Sequence, residues 1–284
     1  MSLACVFPGQ GSQSTGMGAA LFDRFPDWTA VADATLGYSI RELCLDDPGR
    51  RLGLTMYTQP ALFVVNAMTY RARQEDGGRD PDYLAGHSLG EYNALLAAGA
   101  FDFAAGLQLV RRRGELMAQV GGGGMLAVIG LEPERIQETL AGSEPGRTID
   151  VANFNSFEQT VVAGPKDALD LVKPDLERAG ARMVIPLNVS APFHSRYMRG
   201  AEQEFTAFLT PFAFAAPKIA VISNVTAEPY QPDAVRATLA RQIGHSVRWL
   251  HSVRWLLKQG VTEFEEVGPG NVLRKLVAQI KKRT

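Results

Sequence analysis

The pentapeptide Gly86-His87-Ser88-Leu89-Gly90 could present a serine for nucleophilic attack. The pattern G-x-S-x-G holds a serine on a sharp turn between a strand and a helix, and its glycines allow close backbone packing. N–H groups at the start of the next helix favour developing negative charge. The alternative is a plain turn in which Ser88 only caps the helix. An apolar run before the turn and a helical pattern after it favour the nucleophile.

A serine nucleophile needs a general base, and the chain has four histidines. His87 adjoins Ser88, but adjacent residues on a turn usually point apart. His194 lies at the end of a predicted strand, where sites gather in α/β sheets. It is the candidate base, and the alternative is a buried histidine in a satisfied network. The acids between Ser88 and His194 have no recognisable setting, so the third group is either an unidentified acid or a backbone carbonyl.

Two further segments carry weaker signals. The stretch "FPGQGSQSTGMG" lacks the lysine of a P-loop and the third glycine of G-x-G-x-x-G. Its backbone N–H groups could form half of an oxyanion hole, although a plain turn explains the glycines equally. Arg111, Arg112 and Arg113 are successive on a predicted helix, so they point about 100° apart and at least one should face inward. A buried arginine favours a carboxylate or phosphate partner, and the alternative is three solvated arginines.

The elements that must position these residues alternate between strand and helix. "LACVF" and "YLAG" read as buried strands, and "FAAGLQLVRRRGELMAQ" reads as a helix. Another helix is expected to begin at Pro60 in "TQPALFVVNAMTYRARQ", because proline suits a first helical turn. Strands separated by helices predict an α/β fold with a parallel sheet and helices on its faces.

The pattern changes after the glycine run 121–124. Residues 125–189 read as β-α-β-β-α-β, which is typical of a small ferredoxin-like unit. We therefore expect a large α/β domain formed by residues 1–124 and 190–284, with residues 125–189 as an inserted subdomain.

Composition and charge indicate which classes of partner are not expected. The 284 residues are 46% hydrophobic and carry a net charge of −1, which gives no reason to expect nucleic acid or a membrane surface as a partner. Two distant cysteines, Cys5 and Cys44, indicate a reducing compartment, and neither a signal peptide nor a membrane span is recognisable. We expect a cytoplasmic protein.

An exact tandem hexapeptide, "HSVRWLHSVRWL", occupies residues 245–256. It is too short for a repeat architecture. Its histidines, His245 and His251, are six residues apart and would not share a helix face, so we expect no metal site.

Seven motifs occur in order across nearly the whole chain: "FPGQGSQ", "TQPAL", "GHSLGEY", "RRRGELM", "NFNS", "FHS" and "EVGPGNVL". With them the sequence resembles the malonyl-CoA:acyl carrier protein transacylases and the acyltransferase domains of polyketide synthases. The resemblance implies an α/β-hydrolase-like large domain with an inserted ferredoxin-like subdomain.

The resemblance also implies roles for individual residues. Ser88 matches the acylated nucleophile, and His194 matches its base and later its acid. Gln242 matches the residue whose backbone carbonyl orients the histidine, so the family works with a Ser-His dyad. Gln10 and Leu89 match the positions whose backbone N–H groups form the oxyanion hole.

Substrate and partners follow from the same resemblance. Arg113 matches the arginine that holds the free carboxylate of a malonyl group. Phe193 resembles the bulky residue before the histidine in malonyl-type enzymes, whereas Pro192 departs from the usual alanine. Malonyl-CoA is the implied donor, and the phosphopantetheine thiol of an acyl carrier protein is the implied acceptor. No bound cofactor is expected.

The free-standing length suits two pathways. One is fatty-acid synthesis, and the other is polyketide synthesis by a discrete acyltransferase that acts in trans. The segments "LGYSIRELCLDDPGRRL" and "FHSRYM" resemble the discrete, disorazole-synthase type more closely. Two other functions remain open, namely a thioester hydrolase with the same dyad and a non-catalytic module that binds carrier proteins.

Overall fold

A computed structural model describes residues 1–189 and 191–284 of the chain. Within these ranges the strands are Ser2–Phe7 (β1), Tyr83–Gly86 (β2), Gly123–Ile129 (β3), Asp150–Ser156 (β4), Gln159–Pro165 (β5), Met183–Pro186 (β6), Ala220–Ile222 (β7) and Val261–Glu266 (β8). The α-helices are Ala19–Arg24 (α1), Pro26–Leu36 (α2), Ile40–Leu45 (α3), Thr55–Glu75 (α4), Gly90–Ala97 (α5), Phe103–Gln119 (α6), Pro133–Ala141 (α7), Lys166–Arg178 (α8), Arg199–Phe208 (α9), Val235–Arg241 (α10), Trp249–Lys258 (α11) and Val272–Lys281 (α12). Short 3₁₀ turns occur at Gly146–Thr148 and Arg196–Met198.

The predicted parallel sheet is confirmed. Its strand order is β7-β2-β1-β8, and all three pairings are parallel. Side chains alternate between the two faces of a strand, so β1 serves two cores. Cys5 and Phe7 face the larger core, which includes helices α4, α5 and α6, whereas Ala4 and Val6 pack with α11 and α12. Helices therefore cover both faces, as the alternating pattern predicts.

A separate sheet is antiparallel, with strand order β4-β5-β3-β6. Its elements follow one another as β3-α7-β4-β5-α8-β6. Leu126 and Val128 of β3 face a small core closed by α7 and α8. Met125 and Ala127, on the other face, join the larger core. The two sheets therefore share one continuous apolar interior.

Helix α4 begins earlier than predicted. It starts at Thr55, so Pro60 lies inside the helix and not in its first turn. The carbonyl of Leu54 accepts hydrogen bonds from the amides of Tyr57 and Thr58, which closes the first turn upstream of the proline. The helix accommodates Pro60 by forgoing one intrahelical hydrogen bond, since proline has no N–H.

The turn between β2 and α5 packs against β1 at backbone distance. A Cβ on Gly90 would lie 2.0 Å from the carbonyl oxygen of Phe7, and one on Gly86 would lie 1.9 Å from the carbonyl carbon of Gly90. Only glycine fits such approaches. The pattern G-x-S-x-G is thus required here by packing. None of the helices in the two described ranges is long and apolar enough to cross a membrane.

Candidate active site

Ser88 sits at the tip of this turn with a left-handed backbone, φ 51°. A non-glycine residue adopts this region only where its surroundings determine it. Here the side chain of Asn224 spans the turn. Its Oδ1 accepts from the Ser88 N–H at 2.7 Å, and its Nδ2 donates to the Gly86 carbonyl at 2.7 Å. These two bonds hold the serine in its strained conformation.

His194 meets Ser88 from the segment between β6 and the second 3₁₀ turn. It too has a left-handed backbone, φ 56°. Its Nε2 lies 2.7 Å from Ser88 Oγ, and its Nδ1 lies 3.0 Å from the carbonyl oxygen of Gln242 and 3.2 Å from that of His245. Carbonyls only accept, so Nδ1 carries the proton and Nε2 presents its lone pair to the serine hydroxyl.

The environment of His194 keeps it neutral. The residue is buried, and burial lowers the pKa of its imidazole from 6.5 to about 3, with the charge of Arg113 acting in the same direction. A neutral imidazole with a free Nε2 lone pair can accept a proton. His87 does not compete, because its Nε2 is bonded to Asn155 Oδ1 at 2.8 Å.

Arg113 is the inward-facing member of the arginine run. It is 1% exposed, whereas Arg111 and Arg112 form ion pairs with Glu115. Its Nη2 donates to Ser88 Oγ at 3.0 Å and to Gln242 Oε1 at 2.8 Å. Its Nη1 donates to the amide oxygen of Gln59 at 2.5 Å. Among the described residues no carboxylate pairs with Arg113, so its charge can bind an anion.

These side chains face one cavity of about 100 Å³. Phe193 is buried in its wall, and Gln10 and Leu89 also line it. Within the described part of the chain, the backbone N–H groups of Gln10 and Leu89 have no hydrogen-bond acceptor. Two such N–H groups beside a serine can stabilise an oxyanion. Gln242, fully buried, lies behind the cavity wall.

Residues 4–282 match the family model described as acyl transferase domain. The chain belongs to this family. It is similar to the polyketide biosynthesis malonyl CoA-acyl carrier protein transacylase BaeC of Bacillus velezensis, at 54% identity over 280 residues, which are 98% of this chain and 96% of the relative.

Two solved structures extend the comparison. A malonyl CoA-acyl carrier protein transacylase from Burkholderia pseudomallei is 50% identical, with a TM-score of 0.96 and coverage of 100% of this chain and 99% of that one. A malonyl-transacylase in complex with its type II PKS acyl-carrier protein is 39% identical, with a TM-score of 0.95 and coverage of 99% and 94%.

The candidate active site includes a buried carboxylate that the sequence analysis missed. Glu91 Oε1 accepts from the Tyr230 hydroxyl at 2.5 Å and from the Asn224 N–H at 3.1 Å, and its Oε2 accepts from Gln242 Nε2 at 2.7 Å. Burial raises the pKa of this carboxyl to about 7, against the effect of these hydrogen bonds and of Arg113.

The sequence contains local signals for two site residues that the sequence analysis did not select, Glu91 and Asn224. Glu91 follows the serine turn directly, inside "GHSLGEY", on a helix whose first six residues are all buried. Asn224 follows β7, at the carboxyl edge of the parallel sheet where functional side chains gather. Gln59, on α4, likewise lies inside one of the seven motifs, "TQPAL".

The tandem hexapeptide contributes a backbone atom to the candidate active site. Its first copy crosses from a loop into α11, and the carbonyl of His245 contacts His194. Its second copy lies wholly within α11. Trp249 is fully buried whereas Trp255 is half-buried, so identical residues occupy different environments. Across the two described ranges, no group of three or more potential metal ligands occurs.

Proposed function

We propose that this acyl transferase moves a malonyl group from malonyl-CoA to the phosphopantetheine thiol of an acyl carrier protein, through an ester on Ser88. The observation that supports this proposal most directly is the guanidinium of Arg113. It is buried beside the hydroxyl of Ser88 and forms no ion pair with any described carboxylate. The family and the relatives named as malonyl transacylases support the same reaction.

In the first half-reaction, His194 Nε2 takes the hydroxyl proton as Ser88 Oγ forms a bond to the thioester carbon. The backbone N–H groups of Gln10 and Leu89 stabilise the oxyanion. The carbon–sulfur bond then breaks, His194 returns its proton to the leaving sulfur, and free CoA departs.

The second half-reaction reverses the roles. The phosphopantetheine thiol gives its proton to His194 Nε2 and attacks the ester carbon. The ester bond to Ser88 breaks, and the serine oxygen recovers the proton from His194. Each cycle therefore restores the enzyme and needs no bound cofactor. The peptide carbonyls of Gln242 and His245 keep His194 in the required tautomer throughout.

The acyl group is a dicarboxylic unit in this proposal. Arg113 pairs with its distal carboxylate, and a buried guanidinium favours such a pairing strongly. Phe193, 6% exposed, narrows the same cavity and would crowd a branch at the α-carbon.

We place the activity in polyketide biosynthesis, where the enzyme acts in trans on separate carrier proteins. BaeC is named for polyketide biosynthesis, and this chain and that relative match over almost their full lengths. The second candidate is fatty-acid synthesis, which uses the same transfer.

The architecture is proposed in finer terms as well. The parallel sheet with its serine turn fits an α/β-hydrolase-like domain made of residues 1–124 and 190–284. The order of the antiparallel sheet and its two helices fit a ferredoxin-like subdomain made of residues 125–189. A cytoplasmic location remains a prediction.

The decisive experiment is intact mass spectrometry after mixing the protein with malonyl-CoA. We expect a gain of one malonyl group in the wild type and none in Ser88→Ala. An unmodified wild type would exclude an acyl-enzyme and leave a binding module. Methylmalonyl-CoA, run alongside, should acylate more slowly because of Phe193.

Transfer and hydrolysis are separated by following the acyl-enzyme over time. We expect the malonyl ester to persist in buffer and to disappear when holo carrier protein is added. Equal rates of loss with and without carrier protein would instead identify a hydrolase.

The role of Arg113 is tested by the preference between malonyl-CoA and acetyl-CoA. Arg113→Ala should lower the malonyl-to-acetyl ratio of kcat/KM by about a hundredfold, because a buried charge-assisted pair is lost. Arg112→Ala, on the same helix but ion-paired outside the cavity, is the matched control and should keep the ratio. An unchanged ratio in Arg113→Ala would remove this arginine from the acyl site.

A further inference from the structure

The side chain and backbone of Gln242 connect three parts of the site. Its backbone carbonyl accepts from His194 Nδ1, and its amide oxygen accepts from Arg113. Its amide nitrogen donates to Glu91 Oε2 at 2.7 Å and to the Ser88 carbonyl at 2.6 Å. One residue thus contacts the base, the guanidinium and the turn that carries the serine.

The direction of the Gln242 amide is set by Glu91 together with the Ser88 carbonyl. A primary amide can be turned over, which exchanges its donor and its acceptor. Arg113 needs the acceptor, so the donor must point to Glu91. Above its raised pKa of about 7, Glu91 is an ionised carboxylate that accepts at both oxygens, and its other oxygen accepts from Tyr230 and Asn224. The amide therefore has one favourable orientation.

The position of the carboxylate matters as much as its presence. Arg113 contacts the amide oxygens of Gln59 and Gln242, and the negative charge of Glu91 lies one side chain further away. A carboxylate in direct contact with Arg113 would form an ion pair and compete with an anionic substrate. Neutral amides hold the guanidinium in place without neutralising it.

We propose that Glu91 is a positioning residue for dicarboxylate selection: through the Gln242 side chain it fixes Arg113 towards the acyl carboxylate. The inference rests on the proposed function, because it requires Arg113 to bind that carboxylate. Glu91 is fully buried, and its backbone N–H donates to the carbonyl of the lining residue Ser88 at 3.1 Å. Its carboxylate bonds only to residues that do not line the cavity, namely Tyr230, Asn224 and Gln242.

The test is Glu91→Gln, measured by the malonyl-to-acetyl ratio of kcat/KM for acylation of Ser88. The new amide must still accept from the fixed Asn224 N–H, so its NH₂ faces the NH₂ of Gln242. Gln242 cannot turn over without setting its amide oxygen against the Ser88 carbonyl, so the repulsion displaces its side chain and with it the acceptor that it offers to Arg113. We expect the ratio to fall about tenfold, chiefly through a higher KM for malonyl-CoA.

Tyr230→Phe is the matched control. It removes a hydrogen bond to the same carboxylate but on Oε1, away from Gln242. The ratio should stay within about twofold of the wild type. A fall as large as that of Glu91→Gln would indicate general disruption of packing and would overturn the inference.

If Glu91→Gln does not fold, the same ratio is measured in Gln242→Met. This variant keeps the backbone carbonyl and the side-chain volume while removing the amide. A tenfold lower ratio, by the same estimate, supports the inference, and an unchanged ratio overturns it. Arg113→Ala distinguishes failure of the inference about Glu91 from failure of the proposed function. If that variant loses selectivity while the folded Glu91→Gln keeps it, only the role of Glu91 is overturned; if neither changes, the proposed function fails.

Discussion

His194 is oriented by two peptide carbonyls, those of Gln242 and His245, where a Ser-His-Asp triad uses a carboxylate. A carboxylate would favour the protonated imidazole, whereas carbonyl dipoles do so more weakly. Burial and the charge of Arg113 therefore dominate, and the pKa of His194 falls to about 3. In the proposed mechanism this imidazole is neutral at rest and takes a proton only transiently.

This low pKa has a consequence for stability. In the unfolded chain the histidine titrates near 6.5, so below that pH the unfolded state binds a proton that the folded state excludes. The folded protein therefore loses stability as pH falls from 6.5 towards 3, by up to about 1.4 kcal/mol per pH unit.

The variant His194→Gln has no group that titrates at this position, so it should not show this loss of stability. Urea unfolding at about pH 7.5 and about pH 5 should show the variant gaining stability relative to the wild type at the lower pH. Parallel changes in both proteins would contradict the assignment.

At the scale of elements, the site depends on how closely the β2–α5 turn approaches β1. The approach is between backbones, so neither partner can move aside as a side chain would. Asn224, following β7, fixes the same turn from the opposite neighbour of β2. The serine is thus positioned by three adjacent strands.

Gly90→Ala tests this packing. Its Cβ would lie 2.0 Å from the Phe7 carbonyl oxygen, so we expect a loss of about 3 kcal/mol or more in unfolding free energy and no acylation of Ser88. Gly200→Ala, inside α9 with nothing within 4 Å of the new Cβ, should leave acylation intact and raise stability slightly. Thermal unfolding and acyl-enzyme mass measure both. Wild-type acylation in Gly90→Ala would show that the turn tolerates displacement.

Elements were predictable where the pattern is local, and less so where tertiary contacts decide. Alternating apolar runs and helical spacing indicated both sheets, and α6 begins and ends where the pattern does. The start of α4 was wrong because its first turn closes upstream of Pro60, through bonds that spacing does not reveal. Glu91 escaped notice because a buried carboxylate is recognisable only from its donors, which come from residues 224–242.

At the scale of the whole molecule, the parallel sheet separates two apolar cores, and the larger one extends under the antiparallel sheet. Both cysteines lie in this larger core, Cys5 on β1 and Cys44 on α3. Burial raises the pKa of each thiol to about 12. Neither thiol competes with Ser88 for an acyl thioester.

Thiol labelling should therefore report global unfolding. We expect the native protein to resist iodoacetamide at about pH 8 while it retains acylation of Ser88, because only the thiolate reacts. Both cysteines should react once guanidinium unfolds the chain. Rapid labelling of a fully active protein would mean that the core opens locally.

Because backbone atoms orient His194, the positions that supply them can tolerate amino-acid substitution. A triad's carboxylate is lost through a single altered codon, whereas a peptide carbonyl survives any substitution that leaves the chain path intact. Position 245 is therefore open to drift, since the oxygen that His194 uses there belongs to every amino acid alike.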